Sequence, residues 1–420
     1  MDKHTYKMRN RAVEGRVFYE NLLLSPQYVA KYFPPTEKEK NWKRRPKISF
    51  PVAGEIIDRL ASMIYDDMAI TTGVDKIDAV WQEVAERNEW NIFGRGMLTT
   101  PLSTGSQCIT LHSIPGLGVH WESWNGEYSY YMRSPFYQQA GYEYKREEEG
   151  DVCPVLEPPV GKRPDNYVSV VIDDKVIITT TGDKTDAKFH LLPFAPFVFV
   201  RGVDRDDVGR YAYPFSDRFD DLLIEYNLTF SQAVKAVRIL QSVWVSNKTM
   251  DNPNEPIRLD PDTINFVGES GKLEQAIRQL DLVPEGMILD RLKRHISTRA
   301  QVPDFMTGLQ DVGKVESGVA LAIVSGPLQE LADRIRAEYR RKVTELVSKS
   351  IQIEYQTRGQ VAPEFEVMVT LNETVIPQDM KMELDALTAA SAAGLIAPQY
   401  QASMQKRVAS LLQLEDETEE

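Results

Sequence analysis

From Val52 to Tyr65 the apolar residues Ile56, Ile57, Leu60, Met63 and Ile64 recur at helical spacing, with Asp58, Arg59 and Ser62 opposite. That stripe predicts a helix with one buried face. Upstream, a helix is expected over roughly 10 to 33, stopped by Pro34 and Pro35, with Pro46 and Pro51 interrupting the chain before the stripe begins. A further helix is expected around 76 to 93. Between 104 and 200 the period changes: SQCITLH, YSYYMR, YVSVVID, KVIITTT and APFVFV are short β-branched or aromatic runs separated by Gly, Pro and Asp. They predict a β-rich block, with KREEEGD (145 to 151) as an exposed hairpin tip.

Helical periodicity returns at Phe219, Leu222, Leu223, Tyr226, Phe230, Val234, Val237 and Leu240, with Ser216 or Asp217 as candidate cap. Residues 242 to 283 read as a small β-containing insertion, with strands in SVWVSN and TINFV around the loop DNPNEP. A helix then starts at Pro284 and runs to about Arg299, with Ile288, Leu289, Leu292 and Ile296 inward and Pro303 ending it. Arg291, Lys293, Arg294 and Arg299 are read as its basic face. A long helix from Val319 to about Tyr355 comes next, kinked near Gly326 and Pro327. Glu330 and Glu338 precede Arg334 and Lys342 at i,i+4, the favourable order for ion pairs. A strand (EFEVMVTL), two short helices joined at Gly394 and Pro398, and the acidic tail EDETEE complete the pattern.

Composition narrows the function. The 420 residues are 42% hydrophobic and 26% charged, ordinary for a globular chain of about two to four domains. A formal net charge of -13 excludes a wholly basic surface built to grip nucleic acid. The first 50 residues run the other way, with 12 Lys and Arg against 5 Asp and Glu, and read as a solvated arm or a contact with an acidic partner surface or with nucleic acid. Cys108 and Cys153 stand alone, so no disulfide framework or zinc cluster is expected, and a reducing compartment is. No apolar run is long enough to span a membrane and no secretory leader is evident, so the expectation is a soluble protein.

Motifs for catalysis are weak. Gly308 to Val315 reads GxxxxGKV, but Val315 replaces the magnesium-binding hydroxyl of a phosphate-binding loop, and the segment follows a helix. GESGK at 268 to 272 is too short for such a loop. His4, His112, His120, His190 and His295 show no metal spacing. Asp204, Asp206 and Asp207 form an acidic cluster that suits a solvated turn or, as the alternative, magnesium-dependent nucleic-acid chemistry. No cofactor is expected.

Most of the chain, from about 10 to 400, resembles the portal proteins of tailed double-stranded DNA bacteriophages. The resemblance rests on the order of PKISFPVAGEIIDRLASMIY, DDLLIEYNLTFSQ, LKRHISTRAQVPDFMTG, ESGVAL, TVIPQDMKMELDAL and AAGLIAPQ. It implies an α+β, ring-forming subunit: a basic arm (1–50), a wing (51–215) and a first stem helix (216–241). A β-containing clip (242–283), a second stem helix (284–302) and a tunnel loop (303–318) come after it. The wing's long helix and strand (319–376) and a helical crown with an acidic tail (377–420) complete it.

The same resemblance implies a non-enzymatic dodecameric channel at one capsid vertex of a virion, assembled in the host cytoplasm, for genome packaging and ejection. Gly308, Gln310, Asp311, Lys314, Val315 and Glu316 would face DNA in the tunnel loop. Arg291, Lys293, Arg294 and Arg299 would meet its phosphates without reading sequence, or pair with Asp220, Asp221 or Glu225 of an adjacent subunit. Trp244, Asn247, Lys248, Asn252, Asn254, Glu255 and Arg258 in the clip would dock the terminase large subunit or a head-tail adaptor. Major capsid protein and a scaffold are further implied partners. A minor structural virion protein without a channel is the other alternative.

Overall fold

The chain's first helix starts earlier than its apolar pattern suggests and is far more buried. In a computed structural model, residues 3–32, 48–65, 68–133, 138–147, 151–157, 163–205, 211–241, 244–246, 273–275, 283–303 and 318–371 are described. Helix α1 spans Lys3–Tyr19 and α2 spans Pro26–Tyr32. They are separated by a turn at Asn21, whose backbone is left-handed (φ 57°), so the single helix expected over 10 to 33 is two.

Nor is α1 a solvated arm; residues 33–47, which carry six of the twelve cations of the first 50 residues, lie outside the described residues. Tyr6, Met8, Ala12, Val17 and Phe18 of α1 are buried, and Arg9 is 0% exposed. The Arg9 guanidinium donates to Glu143 at 2.5 Å, to the Val155 carbonyl at 3.1 Å and to the Tyr128 carbonyl at 2.7 Å. Tyr6 and Tyr167 also donate to Glu143. A charge taken out of water is tolerable only when paired and hydrogen-bonded in this way. Arg16 pairs with Glu127 and Glu20, Arg11 with Glu14 and Asp217, and Lys31 with Glu14. These cations are therefore neutralised within the chain. Gly15 is required where α1 crosses its neighbours, because a Cβ there would overlap the Ser103 carbonyl and the Pro214 ring.

The strongest stripe forms the helix predicted for it, α3 (Val52–Tyr65), with Ile56, Ile57, Leu60 and Ile64 buried and Met63 half-buried. A short strand, β1 (Ala69–Thr71), precedes α4 (Asp75–Arg87) and α5 (Trp90–Thr104). The expected helix over 76 to 93 is thus divided at Glu89, whose φ of 50° no helix can hold.

The β-rich block contains β2 (Ser106–Ile114), β3 (Gly118–Asn125), β4 (Ser129–Arg133), β5 (Gln138–Arg146) and β6 (Val152–Pro154). It continues with β7 (Tyr167–Ile172), β8 (Val176–Thr181), β9 (Lys184–Phe189) and β10 (Phe197–Arg201). Two antiparallel sheets result: β10-β2-β3, and β4-β5-β7-β8-β9 with β6 paired to β5. Strand alternation makes the smaller sheet a shared wall. Ile109, Leu111, Val198 and Val200 join the core under the helices, while Cys108, Phe197 and Phe199 join a second core with Tyr130, Tyr142 and Val170 of the larger sheet. The expected hairpin near 145 to 151 is present, with Arg146 opposite Val152.

A 3-10 turn, Phe215–Arg218, leads into α6 (Asp220–Gln241). Neither Ser216 nor Asp217 caps that helix: both lie in the turn, and Asp217 faces Arg11 at 3.7 Å. Strands β11 (Trp244–Ser246) and β12 (Leu273–Gln275) pair antiparallel, so the partner of SVWVSN is Leu273–Gln275. The TINFV run lies outside the described residues. Helix α7 (Val283–Ala300) returns beside α6. The pairing is antiparallel, because the Arg299 end of α7 meets Asp221 at the start of α6. Gln301, left-handed at φ 57°, ends α7, with the Val302 N–H bonded to the Ser297 carbonyl at 3.0 Å. Termination thus precedes Pro303.

Helix α8 (Gly318–Thr357) is 40 residues, about 60 Å at ~1.5 Å per residue. It buries Leu331, Ile335, Tyr339, Val343, Leu346 and Ile351 in the larger core. The expected i,i+4 pairs are replaced. Arg334 donates to Gln301, Glu338 pairs with Arg341, and Lys342 pairs with Glu345. Strand β13 (Met368–Thr370) closes on β1, shorter than the EFEVMVTL run. Residues 377–420, expected to form a crown, lie outside the described residues.

Candidate functional site

At about 100° per residue, Arg291, Arg294 and Arg299 of α7 fall within an arc of about 140°, whereas Lys293 lies about 200° from Arg291. The basic face is therefore three residues, not four. All three are exposed, as is His295. Lys293 instead sits 5.8 Å from the Tyr226 ring of α6, a cation–π contact within the helix pair. Arg299 donates to Asp221 at 2.8 Å within the same subunit, so one pairing expected between subunits is made inside the chain. Ile288, expected inward, is 49% exposed and its neighbour Met287 is 53% exposed, while Leu289, Leu292 and Ile296 do pack on the core.

Where α7 ends, cations accumulate. Gln301 Oε1 accepts from Arg218 at 3.0 Å and from Arg334 at 2.8 Å. Arg218 also holds Asp204, with Nη2 to Oδ1 at 2.7 Å. One carboxylate of the candidate magnesium cluster is thus committed to an ion pair, and Asp206 and Asp207 lie outside the described residues. Next along α8, Glu338 pairs with Arg341 at 2.7 Å, Arg205 at 3.3 Å and Arg201 at 3.8 Å. Burial lowers the Arg201 pKa, and the neighbouring Arg205 guanidinium pushes it the same way. Sequence pattern alone does not expose this cluster. Its one local signal is the run RIRAEYRRK, but its other half comes from the end of β10, more than 130 residues upstream.

Elsewhere, α1 and the entry to α6 bring Glu14, Asp217 and Asp220 together. Burial pushes the Asp217 carboxyl up to about 7, opposed by Arg11 and reinforced by Asp220, Glu14 and Asp204.

Among the described residues, no group of three His, Cys, Asp or Glu side chains is placed to hold a metal ion. His112 bonds Thr110 at 2.9 Å and Glu122 at 3.2 Å. Cys108 and Cys153 are free thiols; burial pushes Cys108 up, and Cys153 donates to Glu147. No helix among the described residues is long and apolar enough to cross a membrane. The tunnel-loop residues Gly308, Gln310, Asp311, Lys314, Val315 and Glu316 lie outside the described residues. So do the clip residues Asn247, Lys248, Asn252, Asn254, Glu255 and Arg258. Trp244 is placed in β11 by its backbone alone.

No family model matches the sequence, and no curated protein matches it. Solved structures do. A chain in the virion of a native gene transfer agent (GTA) particle aligns with a TM-score of 0.45 at 9% identity, covering 84% of this chain and 89% of its own. A chain in the neck of an empty GTA particle computed with C6 symmetry gives 0.45 at 10% identity, covering 84% and 88%. A chain in the neck of a native GTA particle computed with C12 symmetry gives 0.41 at 10% identity over the same shares.

Proposed function

We propose that the chain is the subunit of a portal ring, a channel through which double-stranded DNA enters and leaves a phage-like particle. The observation that supports this most is the antiparallel α6–α7 pair. It leaves the two-sheet body, carries the small β11–β12 sheet between its helices, and returns to where Gln301, just past α7, meets Arg334 of the 40-residue α8. That order suits a stem, clip and wing. Met287 and Ile288 lie half-exposed on α7, and apolar residues so placed favour a neighbouring copy.

On this reading the ring has about twelve copies and no catalytic task, and it sits at one vertex of a virion assembled in the host cytoplasm. The 303–318 loop approaches DNA, and Arg291, Arg294 and Arg299 make weak, sequence-blind contacts with it. The 242–283 segment docks a terminase or head-tail adaptor, and capsid protein and scaffold surround the wing. The net charge of -13 fits passage, because a wall that neutralised many phosphates would hold the duplex by counterion release.

Electron microscopy of the purified chain tests the reading, with native mass spectrometry for copy number. Closed rings with a central hole are expected. A strictly monomeric species under assembly conditions, or a closed particle without a hole, overturns it.

A further inference from the structure

Beyond the three arginines of α7, the imbalance of charge along α8 points to a second place where phosphate can bind. Arg205 and Arg341, with side chains 50% and 55% exposed, share the single carboxylate of Glu338. Arg334 stands one turn before Glu338 and is bonded to a neutral amide, Gln301. Two turns on, Lys342 and Lys349 likewise share Glu345. Networks elsewhere among the described residues have at least one carboxylate for each cation. Arg16 meets Glu127 and Glu20, and Arg87 with Arg358 meets Glu354 and Glu83. Arg9 meets Glu143.

We propose that Arg205 and Arg341, with Arg334 beside them, form a phosphate clamp that takes the backbone of duplex DNA without reading sequence. Guanidinium forks are suited to this, since each presents paired N–H donors that match phosphate oxygens. Glu338 acts as an internal competitor. It holds the two exposed guanidiniums side by side and accepts the hydrogen bonds that a phosphate would otherwise accept, which keeps the contact weak. Arg334 lies beside Arg218 at the foot of α7, so the clamp continues the basic face of that helix onto α8. Its biological sense rests on the channel reading, but its binding chemistry does not.

The test uses the full chain and a short fluorescein-labelled duplex, read by anisotropy between 50 and 200 mM salt, with inorganic pyrophosphate as competitor. Each phosphate contact should account for about a 3.5-fold loss of affinity over that range, so Arg205→Ala with Arg341→Ala should reduce the salt effect about tenfold. Glu338→Gln should tighten binding. The opposite direction of these two changes separates the clamp from a merely structural role. Pyrophosphate that binds the wild type at least as tightly as the duplex, and is lost in the double variant, supports the phosphate chemistry with a free phosphate as its source.

Unchanged duplex affinity and salt dependence in both variants overturns the proposal. So does a double variant whose rings fall apart while duplex binding persists, which would assign the arginines to carboxylates of another copy. Ring formation is scored separately by microscopy. A clamp effect without rings sinks the channel reading alone, and rings without a clamp effect sink the clamp alone.

Discussion

Asp217 lies near Asp220, Glu14 and Asp204 with Arg11 as its ion-pair partner, and burial is the main reason its carboxyl reaches about 7. The folded state therefore keeps a proton that the unfolded chain releases near pH 4. Stability falls as pH rises between those values, and the full penalty applies above pH 7. Asp217→Asn should unfold at higher urea than the wild type at pH 8, by on the order of 2 kcal/mol after the lost Arg11 contact. That advantage should vanish near pH 4.5; one that is equal at both pH values refutes the assignment. Local pattern could not reveal this site. Asp217 looks like a helix cap by its position, and its partners Arg11 and Glu14 come from a helix about 200 residues upstream. The buried Arg9–Glu143 pair is hidden for the same reason: its two halves are 134 residues apart.

At the scale of elements, periodicity is a good guide where one face is buried and the other wet. Helix α3 follows its stripe from end to end, and α6, α7 and α8 differ from expectation by a few residues at their ends. It fails where a helix is covered on most sides, as in α1, whose polar and apolar residues are mixed around the axis. It fails again where the break is made by backbone conformation in an ordinary residue. Glu89 adopts φ 50° between α4 and α5 with its side chain exposed, and a left-handed conformation costs a residue with a Cβ about 1 kcal/mol more than glycine. Glu89→Gly should therefore raise stability by about 0.5–1 kcal/mol, read as a higher thermal midpoint. A lower midpoint would show that the glutamate side chain makes a contact that outweighs the strain. Gln301 is a poorer choice for the same change, because its amide links Arg218 to Arg334.

For the whole molecule, the order of parts was legible: helices, a β-rich block, a helix pair around a β insertion, then a long helix. The division of the strands into two sheets with a shared wall was not, because strand pairing depends on contacts far apart in sequence. Assembly gives the prediction at this scale. On the proposed ring reading, Ile288→Glu places a charge on a half-exposed position of α7 and should leave the fold within about 0.5 kcal/mol of wild type, while light scattering reports loss of the proposed ring. An intact ring would place the subunit contact elsewhere. Helix α1 has one more consequence, for synthesis. Thr5 bonds Tyr211, 206 residues later, and Arg9 waits for Glu143. At ~5–20 residues per second the ribosome takes about 10 to 40 s to supply Tyr211. Throughout that interval the emerging helix has unmatched charge and open apolar surface, so it is fixed well after it is made. A chaperone that shields it during translation would raise the yield of native subunits more than one acting on the finished chain.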